Sequence, residues 1–141
     1  MILVLFGQPH SGKTTLAKMI CKNSSMYHID GDILRDIFQN KDYSREGRIK
    51  NLNRASDIAT YIHHACKLDI VLSLIYPYKE CRDYLNSLVS DVKWIYLTYD
   101  NNRGREQYHV IDFDTPDNNI VHLNTSLTPL NECINIINQQ W

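Results

Sequence analysis

Five apolar residues in succession, Ile2-Leu3-Val4-Leu5-Phe6, stop abruptly at Gly7. A run without polar alternation reads as a strand covered on both faces. Beyond it the period becomes helical: Leu16, Met19 and Ile20 form one stripe, which Asn23-Ser24-Ser25 ends. The pattern then repeats. Met26-Tyr27-His28-Ile29 predicts a second strand, and Ile33, Leu34, Ile37 and Phe38 a short helix. Ile49, Leu52, Ala55, Ile58, Ile62 and Ala65 predict a longer helix over about 46–67. Residues 69–75 are a near-continuous apolar strand broken by Tyr76-Pro77-Tyr78, and a helix through Leu85 and Leu88 leads to a fourth strand at 93–98. Residues 100–118 are polar and irregular, 120–123 read as a fifth strand, and Thr128 is placed to cap a last helix starting at Pro129. Leu130, Cys133, Ile134 and Ile137 supply its apolar face.

Strands alternating with helices predict an α/β fold in three layers, a five-stranded, mainly parallel sheet flanked by helices. Such sheets bind ligands beyond the C-terminal ends of their strands. That rule gathers residues 7–14, 30–32, 75–78 and the lid-like segment at about 100–118 around one cleft. At 141 residues the chain is expected to be a single domain, 1–141. The net charge of −1 provides no basic field for a long nucleic-acid track. Cysteines 21, 66, 81 and 133 contain no C-x-x-C pair, so reduced thiols are expected rather than disulfides or zinc. With the first strand starting at Ile2 and no apolar run of membrane-spanning length, the expectation is a cytoplasmic protein without a leader.

The chemistry enters at Gly7-Gln8-Pro9-His10-Ser11-Gly12-Lys13-Thr14, which is G-x-x-x-x-G-K-[ST] with a strand before it and a helix after it. A polyphosphate needs many aligned donors. Backbone N–H groups of such a loop and the positive end of the next helix supply them. Lys13 is placed to reach the β/γ oxygens, Thr14 to ligate Mg²⁺, and Thr15 to support the helix start or a phosphate. The nucleotide-binding set is therefore Gly7, Gln8, Pro9, His10, Ser11, Gly12, Lys13, Thr14 and Thr15, with ATP and Mg²⁺ as cofactors. Asp30-Gly31-Asp32, at the end of the second strand, offers carboxylates able to hold Mg²⁺ and to accept a proton from an attacking hydroxyl; the plain alternative is that Asp32 caps the next helix.

Asp30-Gly31-Asp32-x-x-Arg35, then Phe38, Tyr43-Ser44, Arg48, Asn51 and Arg54, then Ile75-Tyr76-Pro77-Tyr78-Lys79 with Arg82, resemble the adenylylsulfate kinases over roughly residues 3–85. The resemblance implies transfer of the ATP γ-phosphoryl group to the 3′-hydroxyl of adenosine 5′-phosphosulfate. It gives Asp30 and Asp32 the handling of Mg²⁺ and of the acceptor hydroxyl, which with Lys13 of the phosphate loop makes the catalytic set, metal binding falling to Thr14 and Asp30. Arg103 and Arg105 join that set on separate grounds, as lid-like residues able to bring positive charge onto the transferring phosphoryl group. Acceptor binding falls to Asp32, Arg35, Phe38, Arg48, Asn51, Ile75 and Tyr78, with Phe38 stacking on the adenine. It also allows a homodimer, which no apolar helix face demands. Three features depart from the family pattern: Tyr76 stands where the family has serine, Asn53 replaces an arginine, and the family's lid motifs are missing. Two alternatives stay open. One is a kinase acting on another nucleoside, a nucleotide or a nucleic-acid 5′-end; the other is an ATP-binding protein without transfer activity.

Overall fold

The computed structural model describes residues 1–100 and 109–140. Strand β1 (Ile2–Phe6) lies at the centre of a five-stranded sheet, with β3 (Ile70–Ser73) and β2 (Tyr27–Asp30) on one side and β4 (Val92–Thr98) and β5 (Val121–Asn124) on the other. Every pairing is parallel, so the mainly parallel sheet expected from the pattern is wholly parallel among the described residues. The central place of β1 explains its unbroken apolar run, since all five of its residues are fully buried.

Alternation along β1 divides the interior in two. Ile2, Val4 and Phe6 pack with Leu52, Ala55 and Ala59 of α3 (Arg45–Cys66) and with Cys81 and Leu85 of α4 (Lys79–Leu88). Leu3 and Leu5 face the opposite way, onto Leu16, Ala17 and Ile20 of α1 (Lys13–Lys22) and Cys133 and Ile137 of α5 (Leu130–Asn138). Each fully buried aliphatic side chain contributes about 1.5–3 kcal/mol, so these two layers hold the strands in register. A short α2 (Gly31–Phe38) follows β2 directly. The four cysteines are free thiols on the helices, and no described helix is long and apolar enough to cross a membrane.

Two boundaries differ from the sequence pattern. The last helix begins at Leu130 with Pro129 as its extended capping residue (φ −56°, ψ 147°), because it is the Pro129 carbonyl that accepts the first helical hydrogen bond, from the Cys133 N–H (3.0 Å). Strand β3 ends at Ser73, although Leu74 N–H still donates to Leu5 and Gly7 N–H to Ile75. Tyr76 then turns the chain at φ 40°, in the left-handed region. Because all strands run the same way, Phe6, Asp30, Ser73, Thr98 and Asn124 come together at one edge of the sheet.

Candidate active site

A cleft of about 520 Å³ opens at that edge. One end is the loop between β1 and α1. A Cβ at Gly7 would sit 2.1 Å from the Leu97 carbonyl oxygen, and Gly12 introduces α1 at φ 92°, so neither position tolerates a side chain. No side chain caps the start of α1 and no acidic residue stands in its first turn, which leaves its N–H groups available to an anion. Pro9, His10, Gly12, Lys13, Thr14 and Thr15 line this end of the cleft.

Lys13 folds back onto the loop, donating to the Gln8 carbonyl (2.7 Å) and the Ser11 hydroxyl (3.3 Å). Burial pulls its ammonium down to about 8, against the raising effect of Asp32 and Asp30. Asp30 is the cap of α2: its Oδ1 accepts from the N–H groups of Asp32 (2.9 Å) and Ile33 (3.3 Å). Its Oδ2 accepts from Thr14 Oγ1 (2.7 Å) and Ser73 Oγ (3.0 Å). Burial alone would raise this carboxyl, but four donated hydrogen bonds outweigh it and hold the group below the usual carboxylate range. The cap is therefore Asp30. Asp32, on the first turn of α2, is exposed, and its carboxylate has no hydrogen-bond partner among the described residues.

The other end of the cleft is lined by Asp32, Arg35, Tyr43, Arg48, Asn51, Leu52, Leu74, Ile75 and Pro77. Arg35 spends its guanidinium on the loop after α2, donating to the Asn40 and Asp42 carbonyls and stacking on Tyr43 at 4.3 Å. Arg48 and Asn51, one turn apart on α3, are different. The Arg48 Nε and the Asn51 Oδ1 are buried without a partner among the described residues. Asn51 Nδ2 is turned to the Gly31 carbonyl (3.4 Å), which leaves its oxygen on the opposite side of the amide.

Four residues singled out by the sequence lie outside the cleft lining or carry a different contact. Phe38 is 42% exposed at the end of α2, with the Arg54 guanidinium 4.5 Å over its ring. Tyr78 is fully buried, its ring covered by Arg45 at 4.0 Å. Gln8 points away and clips the chain beyond the lid-like segment, donating to the Val110 carbonyl (2.8 Å) and accepting from the Val110 N–H (2.9 Å). Tyr76 is core: its ring meets Trp94 edge-on and its hydroxyl shares a hydrogen bond with Ser56 (2.9 Å), burial raising its pKa. Arg103 and Arg105 lie outside the described residues.

Pattern reading overlooked Ser73 and His28. Ser73 is the one polar residue in the run 70–75, and His28 lies two residues before Asp30, on the same face of β2. Those positions were the available signals. Tyr43 was noticed for its place in the motif but not as a wall of the cleft.

A family model described as adenylylsulphate kinase matches residues 1–106. The cytidine diphosphoramidate kinase of Campylobacter jejuni is 25% identical over 159 aligned residues, spanning 96% of this chain and 93% of that protein. The structure is similar to that of a Mycobacterium tuberculosis APS kinase in complex with AMPPNP and APS, with TM-score 0.78 and 21% identity, covering 99% of this chain and 96% of the other. It is also similar to shikimate kinase from Aquifex aeolicus, with TM-score 0.63 and 14% identity over 99% and 95%. At such identities the structural likeness carries the fold.

Proposed function

This chain belongs to the adenylylsulphate kinase family, and from that premise we propose that it transfers the γ-phosphoryl group of MgATP to the 3′-hydroxyl of adenosine 5′-phosphosulfate. The observation that carries this reading is one cleft lined both by a phosphate loop and by Asp32, Arg35, Arg48 and Asn51. Two substrates held in one cleft react as neighbours, and positioning of that kind supplies much of the acceleration in phosphoryl transfer.

Each residue then has a task. The N–H groups of the loop and of α1 hold the donor's phosphates, and Lys13 exchanges the Gln8 carbonyl for phosphate oxygens. Thr14 and Asp30 offer hard oxygen atoms suited to Mg²⁺, with Thr14 as the ligand and Asp30 behind it, since all of Asp30's accepting positions are already engaged. Bound there, Mg²⁺ would neutralise charge on the phosphate oxygens. Asp32, without a partner of its own, accepts the proton of the attacking hydroxyl. Arg48 donates to the acceptor's anionic oxygens, while Asn51 accepts from one of its N–H or O–H groups.

A second reading keeps the transfer and changes the acceptor to cytidine diphosphoramidate. The likeness to the Campylobacter jejuni kinase along nearly the whole of both chains supports it. ADP release from MgATP, measured with each of the two acceptors and with Lys13→Ala as the blank, tests both readings. Saturable stimulation by the phosphosulfate supports the first, and stimulation by the diphosphoramidate alone replaces it with the second. Nucleotide binding with no transfer to either would overturn both.

A further inference from the structure

Behind the Thr14–Asp30 contact lies a polar chain that the family motifs leave out. His28 and Asp30 are two residues apart on β2, so their side chains share a face, and Ser73 is the register partner of Asp30 on β3. His28 Nε2 lies 2.7 Å from Ser73 Oγ, which lies 3.0 Å from Asp30 Oδ2, which lies 2.7 Å from Thr14 Oγ1. Asp30 is ionised and can only accept, so the Ser73 hydroxyl hydrogen points at Asp30. A hydroxyl that has given its one hydrogen to Asp30 must accept from His28. The reverse orientation would press two oxygens together at 3.0 Å with no hydrogen between them.

We propose that His28, donating from Nε2–H, is a positioning residue for the phosphate site: it fixes the Ser73 hydroxyl, and through it the Asp30 carboxylate, against the Thr14 hydroxyl at the magnesium end. Ser73 without this donor is free to rotate toward another acceptor, and Asp30 then loses one of four hydrogen bonds. Asp30 in turn orients Thr14, whose oxygen is the atom offered to the metal. Outer partners of this kind set the geometry of the group that touches the ion, and losing one typically costs 10–100-fold in metal affinity. His28 stands one step further back, so a smaller effect is expected. The inference rests on the kinase reading only for its phosphate half and is indifferent to the acceptor.

Two measurements test it without any transfer reaction. Long-range nitrogen–proton NMR of the metal-free, nucleotide-free protein at neutral pH reads the imidazole tautomer, and the expected result is His28 protonated at Nε2. A His28 protonated only at Nδ1 overturns the proposal. The second measurement is the gain in affinity for a fluorescent ATP analogue when Mg²⁺ is added. Ser73→Ala should reduce that gain roughly tenfold, the low end for an outer partner, and His28→Leu roughly threefold. The double variant should lose no more than Ser73→Ala alone, because the residues act in series. His28→Gln, whose amide N–H can reach the same hydroxyl, should restore the gain. An unchanged magnesium gain in His28→Leu, or equal losses in the leucine and glutamine variants, overturns the proposal. Should His28→Leu not fold, the tautomer and a comparison of His28→Ala with His28→Gln decide in the same way. Absence of kinase activity in a protein that passes both measurements would count against the acceptor assignment instead.

Discussion

At the phosphate end of the cleft the side chains of Asp30, Thr14 and Lys13 already have partners before any ligand arrives, and the N–H groups at the start of α1 are left open. Asp30 accepts four hydrogen bonds, Thr14 gives its hydroxyl hydrogen to Asp30, and Lys13 donates to its own loop. At the acceptor end, Arg48 Nε and Asn51 Oδ1 are buried and unpartnered among the described residues. An orphaned buried polar group costs about 1–3 kcal/mol, so this end carries a cost that an acceptor of matching chemistry would remove. The proposed function accounts for the difference. Triphosphate is common to many kinases and can be met by a fixed cradle, whereas the acceptor distinguishes one kinase from another and must supply the missing partners itself.

The sharpest way to break the comparison is Lys13→Ala. It removes the ammonium that lies on the phosphate loop, and loss of one such electrostatic donor costs roughly 10²–10³-fold in kcat. Folding should survive, because among the described residues the ammonium donates hydrogen bonds only to its own loop. A variant that keeps wild-type turnover would remove the phosphate end from the mechanism.

Arg48→Ala comes next and acts on the other end. Hydrogen bonds to charged groups contribute about 1.5–3 kcal/mol, equivalent to roughly 10–150-fold in the acceptor's KM. The KM for ATP should stay within twofold, and thermal stability should not fall, because the lost Nε was unpartnered. A parallel rise in both KM values would show that the two ends are not separable.

A pH titration sharpens the same contrast. Lys13 is depressed to about 8 in the free protein, and phosphate oxyanions raise it again. Hence kcat/KM for ATP should fall about tenfold per pH unit once pH passes roughly 8, while kcat at saturating ATP holds to higher pH. The unliganded fold should move the other way. Between about 8 and the ordinary lysine value near 10.4 the unfolded chain binds the extra proton, so stability rises with pH across that window. Lys13→Arg should abolish the break near 8 in kcat/KM. A break that persists in Lys13→Arg belongs to another group.

The two ends also differ in how far the sequence revealed them. Gly7, Gly12, Lys13 and Thr14 were legible because backbone conformation and phosphate charge demand those residue types at fixed spacing. The strand-helix order was legible for a similar reason, each apolar period reporting a face that must be buried. The contacts of Phe38, Tyr78 and Gln8 were not, since each depends on a partner distant in sequence: Arg54, Arg45 and Val110. Asp30 and Asp32 looked alike as letters; only the turn into α2 made one a cap and left the other facing the cleft. Ser73 and His28 were hidden because lone polar residues on strands carry no period, and their meaning lies in the register between β2 and β3.

Tyr76 gives the smallest expected effect. It stands between Ile75 and Pro77 of the cleft lining, and its hydroxyl reaches Ser56 on α3, the helix that carries Arg48 and Asn51. Tyr76→Phe keeps the ring against Trp94 and removes only this hydrogen bond. Ser56 retains its bond to the Leu52 carbonyl (3.0 Å), so no hydrogen is stranded, and the loss should be about 0.5–1.5 kcal/mol of stability in a denaturant titration. Neither KM should change by more than twofold if ring packing alone sets α3 against the sheet. A selective rise in the acceptor's KM would instead make the Tyr76–Ser56 bond the element that holds the acceptor end in place, and the two ends would then differ in rigidity as well as in satisfied polar groups.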